Sequence, residues 1–530
     1  MVVHGKKAAY GQLNHMDRLS YLPDSIIHHI ISFLGTEEAC RTTILSKRWA
    51  HVWSTGLILE FKPQYFVPKI DGDFVGTIND PYSDETVKRF MNFIESTMRR
   101  YSEKNLSIRK FKLKYPKIDP EMTGRIDRWV GIALRNQVEE LSLSVIPDPD
   151  KWEDPPLYTL PAILFSAKSL MSMKLFGVRL PYIEDAKLVS LQSLNLSRVD
   201  VDQQMLRDII MSCPLKILKL ERCSGLSNIS IPCCSRLESF HVAETVPIGG
   251  TISVDTSSLQ RCTYIGCYFP WPVILTPSSK KNLRELRIYN TFIKNDIFDK
   301  LVSELPSIVN IAFFSCSMQK CIRIASQTLK DLSIHDCVNL SRVTMEAPKL
   351  DTFCFNGGWR LSSVINSHNS YNAYFYLTVT DLDTRAFYSI KQLLGKSKCC
   401  KVLSISVSDE IGMPEIELDK DQLRYFSGRP PSDAIDVQEL KLCVSCDNSI
   451  PSEFSCRALI DGLLWCCRPD ILSLSVTFSF ENSVIKTFLE VLQKKVKYWK
   501  HPLKRMEIEG TDCSSLLLSW DLEVRFRLYW

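Results

Sequence analysis

Cysteine and histidine come closest, among the residue types of this chain, to a spacing that could do chemistry. Cys443-x-x-Cys446 followed by the pair Cys466-Cys467 has the spacing of a metal site. A regular second C-x-x-C is missing, and Cys443 directly follows Leu442, the last apolar residue of a predicted strand. We therefore interpret these cysteines as structural thiols and predict no metal site.

The remaining chemistry-bearing residues do not form a catalytic pattern. His28 and His29 are consecutive, and consecutive helical positions diverge by about 100°, so the two rings would not converge on one metal ion. No glycine-rich phosphate loop occurs, and no serine, cysteine or histidine sits in a recognised nucleophile setting. The sequence predicts no catalytic residue, no cofactor and no enzymatic activity.

Residues 22 to 53 read LPDSIIHHIISFLGTEEACRTTILSKRWAHVW and carry more apolar residues than so short a segment can bury alone. Ile27, Ile30 and Leu34 lie on one helical face, and Ile26 and Phe33 widen that face beyond a single core stripe. The excess indicates a partner surface. The alternative is a helical cap that covers the end of the following domain.

Start and stop signals divide this segment into three short helices. Gly35 is expected to be a left-handed stop, and Thr36 is expected to cap the second helix. Ser46 is expected to cap a third helix, in which Trp49 and Trp53 share one face.

Most of residues 17 to 56 resembles the F-box of plant F-box/leucine-rich-repeat proteins. The motifs that carry the resemblance are Leu22-Pro23-Asp24, Ile27, Ile30, Phe33-Leu34, Leu45-Ser46-Lys47-Arg48-Trp49 and Trp53. Gly35 and Cys40 depart from the family, which often has proline and then valine or alanine at these positions. The resemblance implies that this segment binds a Skp-type adaptor, and through it a cullin-RING ubiquitin ligase. The implied adaptor-binding residues are Leu22, Pro23, Ile27, Ile30, Leu34, Leu45, Trp49 and Trp53.

Beyond the helical segment, a unit of the form apolar-x-x-apolar-x-apolar recurs at sixteen candidate positions, for example Leu215/Leu218/Leu220 and Leu329/Leu332/Ile334. From Leu170 to Cys400 the units start 21 to 26 residues apart, a period typical of leucine-rich repeats. Each strand would bury alternate residues against the next repeat. The predicted fold is α/β, with a three-helix F-box followed by a curved leucine-rich-repeat solenoid that has a parallel sheet.

The predicted boundaries are 17–56 for the F-box, 57–105 for a connecting segment, 106–436 for the solenoid and 437–530 for irregular repeats and a cap. Within the last part, residues 497 to 510 loosely resemble the C-terminal FBD segment of the same plant family. Leu522, Val524, Phe526 and Leu528 alternate like a closing strand. Cys223, Cys316 and Cys337 follow the last apolar position of three repeats, where a cysteine turns the chain out of the strand.

Composition is ordinary for a globular protein, with 45% hydrophobic and 24% charged residues in 530. The first 19 residues lack the apolar core of a secretory signal, and the longest apolar run, 265 to 275, is broken by Pro270 and Pro272. Nineteen cysteines without an export signal indicate reduced thiols. We therefore expect a nuclear or cytoplasmic protein that does not use a membrane as a partner.

The net charge of +5 is unevenly placed, since residues 99 to 117 hold eight Lys or Arg and one Glu. In each predicted repeat, the residue between the two buried strand positions faces the concave surface. This central column reads Lys112, Ser142, Lys174, Asn195, Lys219, His241, Thr263, Arg287, Ala312, Ser333, Cys354, Thr378, Ser404, Lys441, Ser475 and Glu507. Its basic residues, with flanking aromatic ones, predict a target-binding surface. The candidates are Lys112, Lys174, Phe176, Lys219, Arg287, Tyr289, Phe314 and Tyr376.

These observations favour a non-catalytic receptor that holds the adaptor through its F-box and an unknown target protein on the concave face for ubiquitination. A solvated basic face with incidental aromatic residues is the alternative interpretation of that surface. The alternative function is an RNA- or phosphate-binding repeat scaffold that takes no part in ubiquitination. A nucleic-acid partner is disfavoured because no regular stacking platform accompanies the modest charge.

Overall fold

The computed structural model describes most of the chain. The described ranges are 22–54, 58–63, 84–115, 120–145, 157–183, 187–233, 236–245, 249–294, 302–358, 362–365, 371–379, 384–395, 399–409, 435–446, 453–477, 503–509 and 521–529. The chain divides into two compact units, Met1–Leu226 and Ser227–Trp530. Both units are α/β, with sheets that are parallel over most of their strands.

The first unit begins with a helical region, which we define as residues 22–54. It contains α1 (Asp24–Ser32), α2 (Thr36–Arg41), a 3-10 turn (Thr42–Ile44) and α3 (Lys47–Ser54). Its own small core is made of Ile27, Ile31, Ala39, Trp49, Val52 and Trp53. The helices that follow in this unit are α4 (Asp84–Glu103), α5 (Pro120–Arg135) and α6 (Gln203–Ser212), with a 3-10 helix at Ala162–Ser166.

The caps of the helical region differ in part from the expectation. Ser46 caps α3 as predicted, because its Oγ accepts a hydrogen bond from the Trp49 N–H at 3.2 Å. Gly35 is not a left-handed stop, since its φ of −63° and ψ of 157° are extended. Helix α1 ends in tight right-handed bonds, such as Leu34 N–H to the Ile31 carbonyl, so no left-handed residue is needed. Gly35 therefore precedes α2 as its N-terminal flanking residue, and Thr36 is the first residue of that helix.

The first unit's main sheet is parallel, and each strand pairs with the next one named. Its strands are β1 (Ile58–Phe61), β2 (Lys110–Tyr115), β3 (Glu140–Val145), β5 (Ser172–Phe176), β7 (Ser193–Ser197) and β8 (Ile217–Glu221). A separate parallel pair joins β4 (Tyr158–Thr159) to β6 (Val178–Arg179). In β2, Phe111, Leu113 and Tyr115 are buried, and the three lysines that alternate with them, Lys110, Lys112 and Lys114, are partly exposed. We call the side of a main sheet that carries these alternating residues its open face.

The second unit's main sheet repeats this arrangement. Its parallel strands are β10 (Ser239–Ala243), β12 (Arg261–Pro270), β14 (Glu285–Phe292), β15 (Asn310–Phe314), β17 (Asp331–His335), β19 (Thr352–Gly358), β21 (Asn372–Val379), β22 (Cys399–Asp409), β23 (Ile435–Cys446) and β24 (Cys467–Thr477). The sheet then closes with β26 (Asp521–Tyr529), which is antiparallel to β24 and to β25 (Arg505–Glu509). The predicted closing strand is thus confirmed as β26, in which Phe526 and Leu528 are buried.

Two small parallel sheets and three helices complete the described part of the second unit. One sheet contains β9 (Ile229–Ile231), β11 (Ile252–Val254) and β13 (Val273–Leu275). The other contains β16 (Cys321–Ala325), β18 (Arg342–Glu346) and β20 (Ser362–Ile365). The helices are α7 (Pro277–Lys281), α8 (Thr384–Leu394) and α9 (Glu453–Cys466). Of the segment that resembles FBD, residues 497–502 and 510 lie outside the described residues.

The register corrects the predicted central column near its C-terminal end. Cys354 pairs with Tyr374 rather than Thr378, and Lys441 pairs with Ser473 rather than Ser475. The first error is a slip of four residues and the second a slip of two, and even-numbered slips keep the same side chains on the same face and therefore leave the apolar pattern unchanged. Glu507 does not continue the parallel column, because β25 is bonded to the antiparallel strand β26.

Each of several repeats leaves its strand through a residue in the left-handed region. In the first unit these are Gly177, Arg198 and Arg222, and in the second unit Glu244, Asn290, Ser315 and Asp336. The predicted turn cysteines come directly after three of these residues: Cys223 follows Arg222, Cys316 follows Ser315 and Cys337 follows Asp336. The Cys223 Sγ donates to the Leu196 carbonyl at 3.4 Å, and the Cys316 Sγ donates to the Ile288 carbonyl at 3.5 Å. These bonds support the predicted structural role of the cysteines. Among the described helices, none is long and apolar enough to cross a membrane.

Candidate functional site

The helical region carries large apolar side chains on its surface as well as in its core. Ile26 is 44% exposed, Phe33 75%, Ile44 90% and Leu45 49%. Ile26 and Phe33 come from α1 and its C-terminal end, whereas Ile44 and Leu45 come from the 3-10 turn and the residue after it. We call these four residues the exposed apolar set. Large apolar side chains concentrated in so short a surface segment are typical of a protein-binding site.

The structure divides the eight predicted adaptor-binding residues into three groups. Ile27, Trp49 and Trp53 are buried in the core of the helical region. Leu22, Ile30 and Leu34 are partly buried and pack against that core. Pro23 and Leu45 are exposed. The sequence pattern thus did not distinguish the core residues of the helical region from its surface residues. Ile26 and Phe33, which it placed beside the apolar face of α1, are among the most exposed large apolar side chains of the region.

Three contacts hold the helical region to the rest of the first unit and to itself. The Arg48 guanidinium pairs with the Asp24 carboxylate at 2.7 Å, which joins α3 to α1. The Arg100 guanidinium of α4 lies 4.0 Å from the centre of the Trp53 ring. The Glu60 N–H of β1 donates to the Thr36 Oγ1 at 2.5 Å. The exposed apolar set is therefore presented on a fixed support.

On the open face of the first unit, lysines surround a small cavity of about 70 Å³. Ser142 of β3 pairs with Lys112 on one neighbouring strand and with Lys174 on the other. Lys110 and Glu140 form the adjacent row, at an ion-pair distance of 2.6 Å. We call this cavity the lysine socket; its lining is Lys110, Lys112, Glu140, Leu141, Ser142, Ser172 and Lys174.

Acidic side chains neutralise part of the predicted basic column. Lys112 lies 3.4 Å from the Glu60 carboxylate, and Lys219 lies 2.6 Å from that of Glu221. Arg287 pairs with Glu285 at 2.5 Å. The sequence analysis followed the central column alone, whereas these acids lie two residues away on the same strand or on the neighbouring strand. Lys174 has no carboxylate within 4.0 Å among the described residues.

The carboxylates next to these lysines are held in their charged form. The hydrogen bond from Lys110 keeps the pKa of Glu140 below its ordinary value, and the charges of Lys110, Arg109 and Lys174 act in the same direction. Burial raises the pKa of Glu60, but hydrogen bonds and charges from Lys62 and Lys112 outweigh that effect and lower it. The socket is therefore a site of fixed, mixed charge with lysine in excess.

On the open face of the second unit, aromatic rings form a stacked row. The centroids of the Tyr289 and Phe314 rings are 4.4 Å apart, with an interplanar angle of 5°. His335 stacks on the other side of Phe314 at 4.7 Å and 10°. Burial lowers the pKa of His335, although the charge of Asp336 opposes the shift. The sequence analysis missed His335, since it searched this column for Phe and Tyr only.

The other predicted aromatic residues lie outside this stack. Tyr376 is in the same row, two strands beyond His335, with Asn356 between them. Phe176 belongs to the first unit, where the Arg198 guanidinium lies 5.7 Å from its ring centre. The structure thus brings Tyr289 and Phe314 together and places Phe176 and Tyr376 elsewhere.

The cysteines with metal-like spacing do not converge. Cys467 pairs with Ile435 and Cys443 pairs with Ser475, so the two cysteines are separated by eight residues of β23. Eight residues of strand span about 26 Å. The side chain of Cys446 lies outside the described part. In the part of the chain that the structure describes, no group of three or more His, Cys, Asp or Glu could hold a metal ion.

Comparison with protein families agrees with this architecture. A family model described as "At1g61320/AtMIF1, LRR domain" matches residues 98–268 and 251–422, and the F-box domain model matches residues 19–59. The strands and these matches define a leucine-rich-repeat protein with an N-terminal F-box. The chain belongs to the F-box/leucine-rich-repeat proteins. F-box domains generally bind Skp1-type adaptors.

Curated relatives come from Arabidopsis thaliana. The F-box/LRR-repeat protein At4g14096 is 26% identical over 64% of this chain and 73% of its own length. The putative F-box/LRR-repeat protein At5g41840 is 27% identical over 44% of this chain and 41% of its own length. The putative F-box protein At3g58860 is 29% identical over 47% of this chain and 51% of its own length. The chain thus spans about half the length of the last two relatives, or less.

Proposed function

We propose that this protein is a non-catalytic substrate-recognition subunit of a Skp-cullin-F-box ubiquitin ligase. The observation that carries the proposal is the exposed apolar set, which lies on a helical region with a separate core of its own. Burying apolar surface gains roughly 25 cal/mol per Å², so these side chains favour a protein partner over water. Similarity to F-box/LRR-repeat proteins supports a Skp-type adaptor as that partner.

Within this proposal the predicted adaptor-binding residues have two roles. Ile27, Trp49 and Trp53 hold the helices together from inside, and Leu22, Ile30 and Leu34 support the edge of the core. Pro23, Leu45 and the rest of the exposed apolar set contact the adaptor. The open faces of the repeat sheets bind the target. The adaptor connects the protein to a cullin-RING ligase.

We place the protein in the nucleus or the cytoplasm, where thiols stay reduced. Cys223 and Cys316 support this placement, because each is a buried thiol that donates a hydrogen bond to a backbone carbonyl of another repeat. Such cysteines serve the fold as small buried groups.

Adaptor binding is tested with the double variant Ile26→Ser/Phe33→Ser of the full chain. Truncating a central apolar contact costs about 1 kcal/mol or more, so the two truncations together cost about 2 kcal/mol; because about 1.4 kcal/mol is tenfold in affinity, we expect a loss of at least tenfold. The measurement is titration of the purified chain with a purified Skp1-type adaptor.

The matched control is Ile217→Ser, since Ile217 on β8 is 43% exposed, close to the 44% of Ile26, but lies outside both the helical region and the F-box match. It should bind the adaptor as the unchanged chain does. Thermal melting of the variants checks that each one is folded. Full adaptor binding by a folded Ile26→Ser/Phe33→Ser chain would contradict the proposal.

A further inference from the structure

The lysine socket has a geometry that neither the F-box nor the repeat family assigns. Neighbouring strands of a parallel sheet are about 4.8 Å apart, so the Ser142 hydroxyl lies on a floor with Lys112 on one side and Lys174 on the other. Lys110 and Ser172 complete the rim around Glu140. Ammonium and hydroxyl groups, all hydrogen-bond donors, therefore surround one small space.

The charges of the socket favour an anion. Its lining contains three lysines and one carboxylate, and that carboxylate is bonded to Lys110. Glu60 engages Lys112 from the neighbouring strand, at the longer distance of 3.4 Å. No carboxylate of the described residues lies within 4.0 Å of the Lys174 ammonium group, and Lys114 adds a further positive charge in the next row of β2. Equivalent positions two strands apart, such as those of Lys112 and Lys174, are about 10 Å apart, near the Debye length of about 8 Å, so the fields of these two lysines overlap.

The size and the donors indicate which anion. One water molecule needs a cavity of about 10–15 Å³ on the same measure, so a cavity of about 70 Å³ accommodates a group of roughly five heavy atoms, which is the size of a phosphate group. A phosphate monoester carries a charge of about −1.5 to −2 and three acceptor oxygens. A carboxylate offers one charge and two oxygens, and Glu140 already supplies such a group within the socket.

We propose that the lysine socket binds the phosphoryl group of a phosphorylated serine or threonine in the target protein. Lys174 and Lys112 bond two phosphoryl oxygens, and the Ser142 hydroxyl donates to the third. Phe176, which lies in the row next to Lys174 on the same strand, offers an apolar contact to a flanking residue of the target. The role of this site in selecting a target rests on the proposed receptor function. Binding of the phosphoryl group itself is measured without adaptor or ligase.

The test uses three fluorescent peptides that differ at one position, namely Gly-Leu-phosphoserine-Leu-Gly, whose leucines can contact Phe176, and its Ser and Glu analogues. Anisotropy with the purified full chain should show binding of the phosphoserine peptide, at least tenfold weaker binding of the Glu peptide and none of the Ser peptide. Affinity should rise from pH 5 to pH 7, because the second pKa of the phosphate is about 6, and it should fall as salt is added.

Lys174→Gln should weaken phosphoserine binding about tenfold, and Ser142→Ala should weaken it several-fold. The matched control is Lys88→Gln, because Lys88 is exposed, as Lys174 is, but lies on helix α4, outside the socket and the open faces. That control should bind within twofold of the unchanged chain. Thermal melting confirms that each variant is folded.

Equal affinity for the phosphoserine and Glu peptides, or equal losses in Lys174→Gln and Lys88→Gln, would overturn the proposal. Competition with inorganic phosphate distinguishes the two sources of the ligand. If inorganic phosphate binds as tightly as the peptide, the socket is a site for a free anion and the assignment to a target protein fails. Adaptor titration on the same preparations shows separately whether the proposed receptor function stands.

Discussion

At the scale of single residues, the stacked row of Tyr289, Phe314 and His335 shows how an environment sets a protonation state. Aromatic pairs of this kind contribute about 0.5–1.5 kcal/mol beyond the area they bury. His335 is partly buried beside the Phe314 ring, and burial lowers its pKa although Asp336 acts the other way. The folded state therefore favours the neutral imidazole.

This shift predicts a pH dependence of stability. The folded-state pKa of His335 lies below the unfolded value of about 6.5, so the unfolded state binds more protons in mild acid. The free energy of unfolding should therefore rise with pH between about 5 and 7, and the contribution of His335 is lost as pH falls through its folded pKa. His335→Phe keeps an aromatic ring and should reduce this slope in urea titrations at pH 5 and 7.

Tyr289→Phe is the control for that measurement, since it preserves the stack and leaves the histidine in place. Its slope should match that of the unchanged chain. An unchanged slope in His335→Phe would show that other groups carry the pH dependence.

At the scale of the elements, some tight turns between strands need a glycine, because a Cβ at that position would be strained or would clash with nearby backbone. Gly225 has a φ of +83°, and a Cβ there would lie 2.4 Å from the Val201 carbonyl oxygen. A left-handed conformation alone costs a non-glycine residue about 1–2 kcal/mol, and the clash with backbone adds to this. We expect Gly225→Ala to lower the free energy of unfolding by at least that amount, as measured by chemical denaturation.

Gly124 provides the opposite case within the same unit. It lies inside α5, and a Cβ there would meet nothing within 4 Å. Gly124→Ala should therefore stabilise the protein by roughly 0.5–1 kcal/mol, because alanine loses less backbone entropy in a helix. Equal effects of the two substitutions would contradict the turn geometry described for Gly225.

The sequence was sufficient to predict elements with a strong local pattern. Leu332 and Ile334 alternate with Ser333 and form β17 as expected, and Ser46 caps α3. Register beyond Cys354 was not predictable, because Tyr374 and Thr378 satisfy the same alternation. The pairing of Lys112 with Glu60 was missed for another reason: β1 lies in the segment expected to connect the F-box to the solenoid, and only strand pairing brings Glu60 beside Lys112.

At the scale of the whole molecule, the first unit contains both the exposed apolar set and the lysine socket. Glu60 contacts a residue of the helical region and a residue of the socket. Its N–H donates to Thr36 Oγ1 of the helical region at 2.5 Å, and its carboxylate lies 3.4 Å from Lys112. Coupling between two sites requires that each ligand bind two states with different affinity. The core of the helical region is packed, and β1 is held by its pairing with β2. The structure therefore offers a single state of this unit to both ligands.

We therefore predict that adaptor and phosphoserine peptide bind independently. Effects of changes that share no contact usually add within about 0.3–0.5 kcal/mol, or roughly twofold in affinity. Peptide affinity should be the same with and without saturating adaptor, and combining Ile26→Ser/Phe33→Ser with Lys174→Gln should give additive losses. Anisotropy and adaptor titration on the four chains of this cycle provide the measurement. A change greater than fivefold would instead show coupling, and Glu60→Gln, which removes the charge facing Lys112 but keeps the backbone N–H, should then weaken it.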